Sequence, residues 1–304
     1  MKLASCCGAH QRPSAMTETK APRRAANESV FDAYLRDPPQ LSYVEPSDPW
    51  PRRASLAVLE RACGQRALQN HYQGLKATAQ ERFFEEALAR LGVSPEFQGP
   101  GHEAEPAQGP TVFVANHPFG IIDGLVLCAY AKARFGDFRI LLHARLCQDR
   151  DLQRYFLPVD FTESRAAMLT NLETGRAARA ALEAGIPVLI FPAGAVSTRQ
   201  RLGFGDLTEA PWRTFTAKLL AQSQATVVPT FFHGENSRVF HVASHFSQAL
   251  RYALLLRETH RRGGKPCRVT LGAPIPWETL AALGSRQAIT AHLQAATWCL
   301  KDSA

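Results

Sequence analysis

The chain has 304 residues, 45% of them hydrophobic and 20% charged, so a packed core is affordable and wholesale disorder is excluded. Thirty-five Lys and Arg against 27 Asp and Glu give a formal charge of +8, which suits an anionic partner without choosing among nucleic acid, a phosphorylated substrate and an acidic membrane. Seven Cys with no repeated spacing suggest neither a disulfide framework nor a CxxC zinc site, and no run reaches the roughly 18 apolar residues of a membrane span.

The N-terminus, Met1-Lys2-Leu3-Ala4-Ser5-Cys6-Cys7, contains a lipobox-like Leu-Ala-Ser-Cys. Only Met1 and Lys2 precede it, too few for the apolar stretch of a signal peptide, so a plain leader is expected. Residues 1–55 hold Pro13, Pro22, Pro38, Pro39, Pro46, Pro49 and Pro51 and no sustained apolar period, which predicts a flexible or loosely docked arm. Leu56, Val58, Leu59, Ala62 and Cys63 then mark a first amphipathic helix, and Phe83, Phe84, Ala87, Leu88 and Leu91 another that stops at Gly92. Residues 95–110, rich in Gly, Pro and Glu, read as a loop.

Strands and helices alternate from there. Strands are expected at Thr111–Ala115, Phe138–His143, Pro187–Phe191, Ala225–Phe232 and Cys267–Leu271. Helices are expected at Gly124–Phe135, at Arg165–Ala184 with Met168, Leu172 and Leu182 on one face, at Trp212–Gln222, over a single long stretch from Ser244 to Arg262, and once or twice within Trp277–Leu300. The alternation implies an α/β layer with crossover connections, preceded by a helical segment. One domain over 56–304 is expected, with a helical part at 56–95, an α/β core at 110–275 and closing helices at 276–304.

Three polar, Gly-bearing turns fall at strand exits, where α/β sheets place ligands. Asn116-His117-Pro118-Phe119-Gly120-Ile121-Ile122-Asp123-Gly124 puts an imidazole in a turn and a carboxylate at a helix start. A carboxylate that accepts the imidazole Nδ1–H fixes the tautomer and leaves Nε2 as a base for a substrate hydroxyl or amine. The competing reading is a hydrogen-bonded turn histidine and a helix-capping aspartate. In Ile190-Phe-Pro-Ala-Gly-Ala-Val-Ser-Thr198, Gly194 admits close approach, Ser197 and Thr198 offer donors to an anion, and Arg199 and Arg201 follow. Val227-Val-Pro-Thr-Phe-Phe-His-Gly-Glu-Asn-Ser-Arg238 is the third such exit.

In this order and spacing the three segments resemble the glycerophospholipid (lysophospholipid) acyltransferase superfamily, most nearly its bacterial hemolysin-like branch, over about residues 55–285. The resemblance implies a mixed, largely parallel central sheet flanked by helices. It makes His117 the catalytic base and Asp123 its partner acid. It places Asn116, Gly120, Phe191, Pro192, Gly194, Ser197, Thr198 and Arg199 against the acceptor or its phosphate, and has Pro229, His233 and Gly234 shape the acyl or acceptor pocket. The implied reaction moves a fatty acyl group from acyl-CoA or acyl-carrier protein to a lysophospholipid, glycerol-phosphate or lipoamino-acid acceptor. No resident cofactor and no metal is implied, and the setting is the inner, cytoplasmic face of the membrane.

This chain departs from the family pattern in three ways. The His–Asp spacing is x5 where x4 is common, and Gly120 could absorb the extra residue with a positive φ. Ala193 or Ala195 stands where the third block usually has Glu. No second-block arginine is evident, Leu157-Pro-Val-Asp-Phe161 being near its place. The alternative to catalysis is therefore a degenerate lipid-binding protein of the same fold. A serine hydrolase lacks its Gly-x-Ser-x-Gly elbow, a zinc site from His117, Asp123, His143 and His233 fits no ligand spacing, and scattered basic residues disfavour nucleic acid. For membrane contact the candidates are Leu254, Leu255 and Leu256 among the five basic residues of 245–265, and the loop Leu202–Leu207 with Trp212.

Overall fold

A computed structural model describes residues 29–44, 48–76, 82–105, 109–302. The lipobox-like segment lies outside the described residues. In chain order the elements are α1 (Trp50–Ala62), α2 (Gln65–Lys76), α3 (Phe83–Leu91), β1 (Ser94–Gln98), α4 (Pro100–Glu103), β2 (Thr111–Ala115), α5 (Ile121–Phe135), β3 (Arg139–His143) and β4 (Phe156–Val159). There follow α6 (Arg165–Glu183), β5 (Val188–Ile190), β6 (Thr198–Arg199), α7 (Gln200–Gly203), β7 (Leu207–Thr208), α8 (Phe215–Ser223), β8 (Thr226–Phe232), α9 (Arg238–Phe246), α10 (Gln248–Arg261), β9 (Pro266–Leu271), α11 (Trp277–Ala281) and α12 (Arg286–Cys299).

Seven strands form one sheet in the order β1-β9-β8-β2-β5-β3-β4, parallel except where β8 meets β9. Every residue of central β2 is buried, as a strand covered on both faces requires. Its period of two sends Phe113 and Ala115 into the layer beneath α3 and α5, and Val112 and Val114 into the layer beneath α6, α8 and α12. The parallel strands β2, β3, β4, β5 and β8 therefore all deliver their exits to one end of the sheet.

Two edge strands depart from the expected pattern. Within the expected 95–110 loop, β1 and α4 form instead. Ser94-Pro-Glu-Phe-Gln98 is half exposed and pairs with β9 alone, so its polar residues and Pro95 are compatible with a strand only at an edge. At the opposite edge β4 pairs with β3 alone, and that edge position accommodates Pro158. The single long helix expected over Ser244–Arg262 is two, because Ser247 adopts an extended backbone and its hydroxyl caps α10. On α6, Met168 and Leu172 are exposed and only Leu182 is buried. Small residues, Ala167, Thr170, Thr174 and Ala178, line the packed face.

The described part of the arm is fastened to the domain. Tyr34 is hydrogen-bonded to Asp160 (2.8 Å) and Thr170 (3.1 Å), the Gln40 N–H donates to Gln148, and Tyr43 stacks on Tyr252 at 4.4 Å. Buried Glu60 of α1 accepts from the Ser42 hydroxyl and the Tyr43 N–H, both at 2.6 Å. Glu60→Ala strands both donors, so it should lower the unfolding free energy by about 1–3 kcal/mol and speed amide exchange at 40–44. Unchanged protection of the Tyr43 amide would show that the stacking alone holds the segment.

Candidate active site

The first turn is built from both ends. The Asn116 carboxamide clamps the backbone of Phe232, donating to its carbonyl at 3.0 Å and accepting from its N–H at 2.7 Å, which ties the β2 exit to the β8 exit. Phe119 is buried between the Arg262 guanidinium, 4.1 Å from the ring centroid, and Gly234, where an added Cβ would stand 2.8 Å from the ring. Gly120 does adopt a positive φ, +81°, and it N-caps α5. That conformation, open to glycine alone without strain, accommodates the His-x5-Asp spacing and turns Asp123 back under the loop.

His117 Nδ1 stands 3.0 Å from Asp123 Oδ2. The same oxygen accepts from the N–H groups of Phe119 (2.8 Å) and Gly120 (2.9 Å), while Oδ1 is buried without a partner. The imidazole contact is short in distance and poorly aligned in angle, as catalytic hydrogen bonds often are before substrate binds. Burial pushes the Asp123 carboxyl up, opposed by His117 and the two backbone donors. A wholly buried carboxylate is stabilised by an adjacent cation or hydrogen-bond donor, and the imidazole is the side chain placed to supply it. The His117 side chain is 19% exposed and stacks on Phe191 at 4.2 Å and 29°.

The second turn is stitched to the first. The Ser197 N–H donates to the His117 carbonyl at 2.8 Å. The Gly194 N–H closes a turn onto Phe191, and Gly194 itself packs against the Phe161 ring, over which Arg213 lies at 5.2 Å. Pro192 is buried and its carbonyl accepts from the Arg213 N–H. The donors expected to meet an anion are already engaged. Buried Ser197 donates its hydroxyl to Glu209 at 3.0 Å, and Thr198 donates to the Val196 carbonyl and accepts from Arg251. Arg199 forms a two-nitrogen pair with Glu235, each contact 2.5 Å, and also donates to the Gly205 carbonyl. The guanidinium holds the Glu235 carboxyl below its usual range.

Sequence reasoning missed Glu209. No motif marks it, because it arrives from β7's far end, 12 residues after Ser197. Its Oε1 accepts from the His117 N–H (2.6 Å) and the Ser197 hydroxyl (3.0 Å), and its Oε2 from Trp212 Nε1 (2.8 Å). A carboxylate thus reaches the turn that lacks one in its own block. Burial raises the Glu209 carboxyl, and these donors oppose the rise. Trp212, 6% exposed, is committed to this bond and is no membrane anchor. Leu254, Leu255 and Leu256 are likewise buried, at 7%, 5% and 1%, so the predicted basic–apolar surface on that helix has its leucines in the core.

From the third exit, Gly234 reaches the His117 loop through Phe119, whereas His233 turns toward β9 and bonds Thr270 at 2.8 Å. Pro229 sits mid-strand opposite Val114, buried and short of the exit. Its missing N–H is tolerated there while its carbonyl accepts from Gly272. Among the described residues no three His, Cys, Asp or Glu side chains converge as a metal site.

A sequence-family model described as acyltransferase matches residues 59–304. The chain belongs to this acyltransferase family. Two curated relatives are lyso-glycine lipid O-acyltransferases. That of Bacteroides thetaiotaomicron is 30% identical over 206 residues, covering 65% of this chain and 71% of the relative. That of Phocaeicola vulgatus is 29% identical over 209 residues, 65% and 70% respectively. Among solved structures, the acyltransferase matches the 1-acyl-sn-glycerophosphate acyltransferase PlsC of Thermotoga maritima with a TM-score of 0.47 and 14% identity, over 75% of this chain and 79% of that one. The resemblance drawn from the three turns and the mixed, largely parallel sheet both stand.

Proposed function

We propose that this acyltransferase moves a fatty acyl group from a thioester, acyl-CoA or acyl-carrier protein, to the free hydroxyl of a single-chain amino-acid lipid at a membrane surface. The observation that carries the reading is the 3.0 Å pair of His117 Nδ1 with buried Asp123 on a partly exposed ring. With Nδ1 turned to the carboxylate, Nε2 is the nitrogen that takes the acceptor's proton. The acceptor oxygen forms its bond to the thioester carbonyl carbon, the C–S bond breaks, and the proton on His117 passes to the departing thiolate. No covalent enzyme intermediate and no metal is needed in this scheme.

Two observations favour an amino-acid lipid over a phosphorylated acceptor. Ser197, Thr198 and Arg199 spend their polar groups inside the protein, and the two relatives are named for lyso-glycine lipid. A phosphate arriving there would have to displace a two-nitrogen Arg199–Glu235 pair. The degenerate reading gains nothing from the fold, since the dyad residues face one another and Glu209 supplies a carboxylate.

The test is incubation of the purified protein with acyl-CoA or acyl-carrier protein and a panel of lysophosphatidic acid, lysophosphatidylcholine and lyso-glycine lipid, followed by lipid mass spectrometry. The expected product is the diacyl glycine lipid, with phosphorylated acceptors consumed at least about tenfold more slowly, the discrimination that roughly one unmet charge-assisted hydrogen bond supplies. Preferential acylation of lysophosphatidic acid would refute the acceptor assignment and leave the His117 chemistry intact.

A further inference from the structure

Ten large apolar side chains are exposed among the described residues, and eight of them follow strand exits at the end of the sheet that holds His117. Four form one surface. Val239, Val242 and Phe246 recur at i, i+3 and i+7 along α9, with exposures of 53%, 36% and 70%. Phe204, 64% exposed, joins them, since Gly203 packs against Val242 and the Arg238 guanidinium lies 5.9 Å from the Phe204 ring. The opposite side of α9 is anchored by Phe240 and His241, both fully buried. An amphipathic helix whose apolar stripe faces solvent has an absent partner.

Exposed Arg201 and Arg238 flank Phe204, with exposed Asp206 the acid of the same loop, and the chain that follows the stripe is basic. From Arg238 to Lys265 the chain carries Arg238, Arg251, Arg257, Arg261, Arg262 and Lys265 against Glu258 alone. Glu258 is 6% exposed and is consumed in capping α9, accepting from the N–H and hydroxyl of Ser237. The stripe is also wired to the active site. The Arg199 N–H donates to His241 Nδ1 at 3.3 Å, and His245 Nε2 donates to the Arg199 carbonyl at 2.8 Å. Arg199 lies two residues beyond Ser197, which is bonded to His117.

We propose that the Phe204–α9 face docks on an anionic lipid bilayer, with Phe204, Val239, Val242 and Phe246 entering the acyl region and Arg238 meeting lipid phosphates. This surface replaces the Leu254–Leu256 helix and Trp212 as the membrane contact. It rests on the acyltransferase reading only in making the bilayer the source of the acceptor.

The proposal is tested without substrate, by co-sedimentation of the full chain with vesicles of phosphatidylcholine alone and of equal parts phosphatidylcholine and phosphatidylglycerol. The wild type should partition to the anionic vesicles and be released by high salt. Phe204→Ser with Phe246→Ser should weaken partition at least about tenfold, since each ring loses more than one tenfold's worth of apolar burial. Arg238→Gln should weaken it about fivefold at low salt and little at high salt. Both positions are exposed, so circular dichroism should show an unchanged fold. Turnover of a short-chain, monomeric acceptor should also stay at the wild-type rate, separating loss of docking from loss of chemistry. Partition unchanged by the double Phe variant would overturn the proposal. So would a size-exclusion shift from dimer to monomer in that variant with vesicle binding intact, which would make the face a contact between two copies.

Discussion

His117→Ala should lower acyl transfer by about 10²–10⁴-fold or more, and Asp123→Asn should approach the same loss by a different route. In the native turn one oxygen, Oδ2, receives the two loop N–H groups and the imidazole, while Oδ1 receives nothing. An asparagine carbonyl can take the place of Oδ2 and keep all three contacts, so the loop and the tautomer survive. What the variant lacks is the negative charge that stabilises the imidazolium, so its deficit falls on kcat and not on KM. The two residues act as one unit. His117→Ala combined with Asp123→Asn should therefore be no slower than His117→Ala alone, and a multiplicative loss would show that Asp123 acts through something other than the imidazole.

The same variant carries a stability signature. Burial raises the Asp123 carboxyl in the folded state, so the folded chain holds that proton more tightly than the unfolded chain does. The native state then binds more protons, and its stability falls as pH rises through and above the ordinary carboxylate range. Below that range both states are protonated and the penalty disappears. The unfolding midpoint of Asp123→Asn relative to wild type should therefore shift in the variant's favour as pH rises above the ordinary carboxylate range of about 4. A difference that is flat with pH would mean the wild-type carboxyl is not penalised by burial.

What the sequence could disclose followed how locally each feature is encoded. The Asn116–Asp123 turn was legible because a buried β-branched run, a Gly and an acid at a helix start are all nearest-neighbour signals, and Gly120 carried its own conformational rule. The edge strands were not: β1 is polar and Pro-bearing and becomes a strand only by pairing with β9, and the short apolar run of β4 is interrupted by Pro158. Met168 and Leu172 sit at helical spacing with Leu182, yet the core beside α6 is filled by Ala and Thr, so apolar period alone misassigned the packed face. Arg199 follows the second turn as its sequence position implies, but the sequence could not show that Glu235, 36 residues on, would occupy its guanidinium. Glu209 was invisible for the same reason.

Glu209→Ala should leave three donors facing a void, the His117 N–H, the Ser197 hydroxyl and Trp212 Nε1, and should lower the unfolding free energy by about 3 kcal/mol or more. Glu209→Gln is the sharper experiment. A carboxylate accepts on both oxygens, whereas a carboxamide must turn its NH₂ toward one group of donors. With the oxygen kept on His117 and Ser197, the NH₂ confronts Trp212 Nε1–H, and two buried donors meet at a cost of about 1–3 kcal/mol. Trp212→Phe removes the offending donor. The Glu209→Gln and Trp212→Phe double variant should then be more stable than the two single losses added together, a coupling visible in a double-mutant cycle of urea midpoints. Catalysis reports the other half of the role. Glu209 fixes the backbone from which the imidazole projects, and a misplacement of about 1 Å can cost 10²-fold. Glu209→Gln should therefore lower kcat with KM for the acceptor little changed, and pairing it with Trp212→Phe should restore part of that kcat. Simple additivity in both stability and kcat would show that the three donors are satisfied independently, and that Glu209 does not hold the catalytic turn.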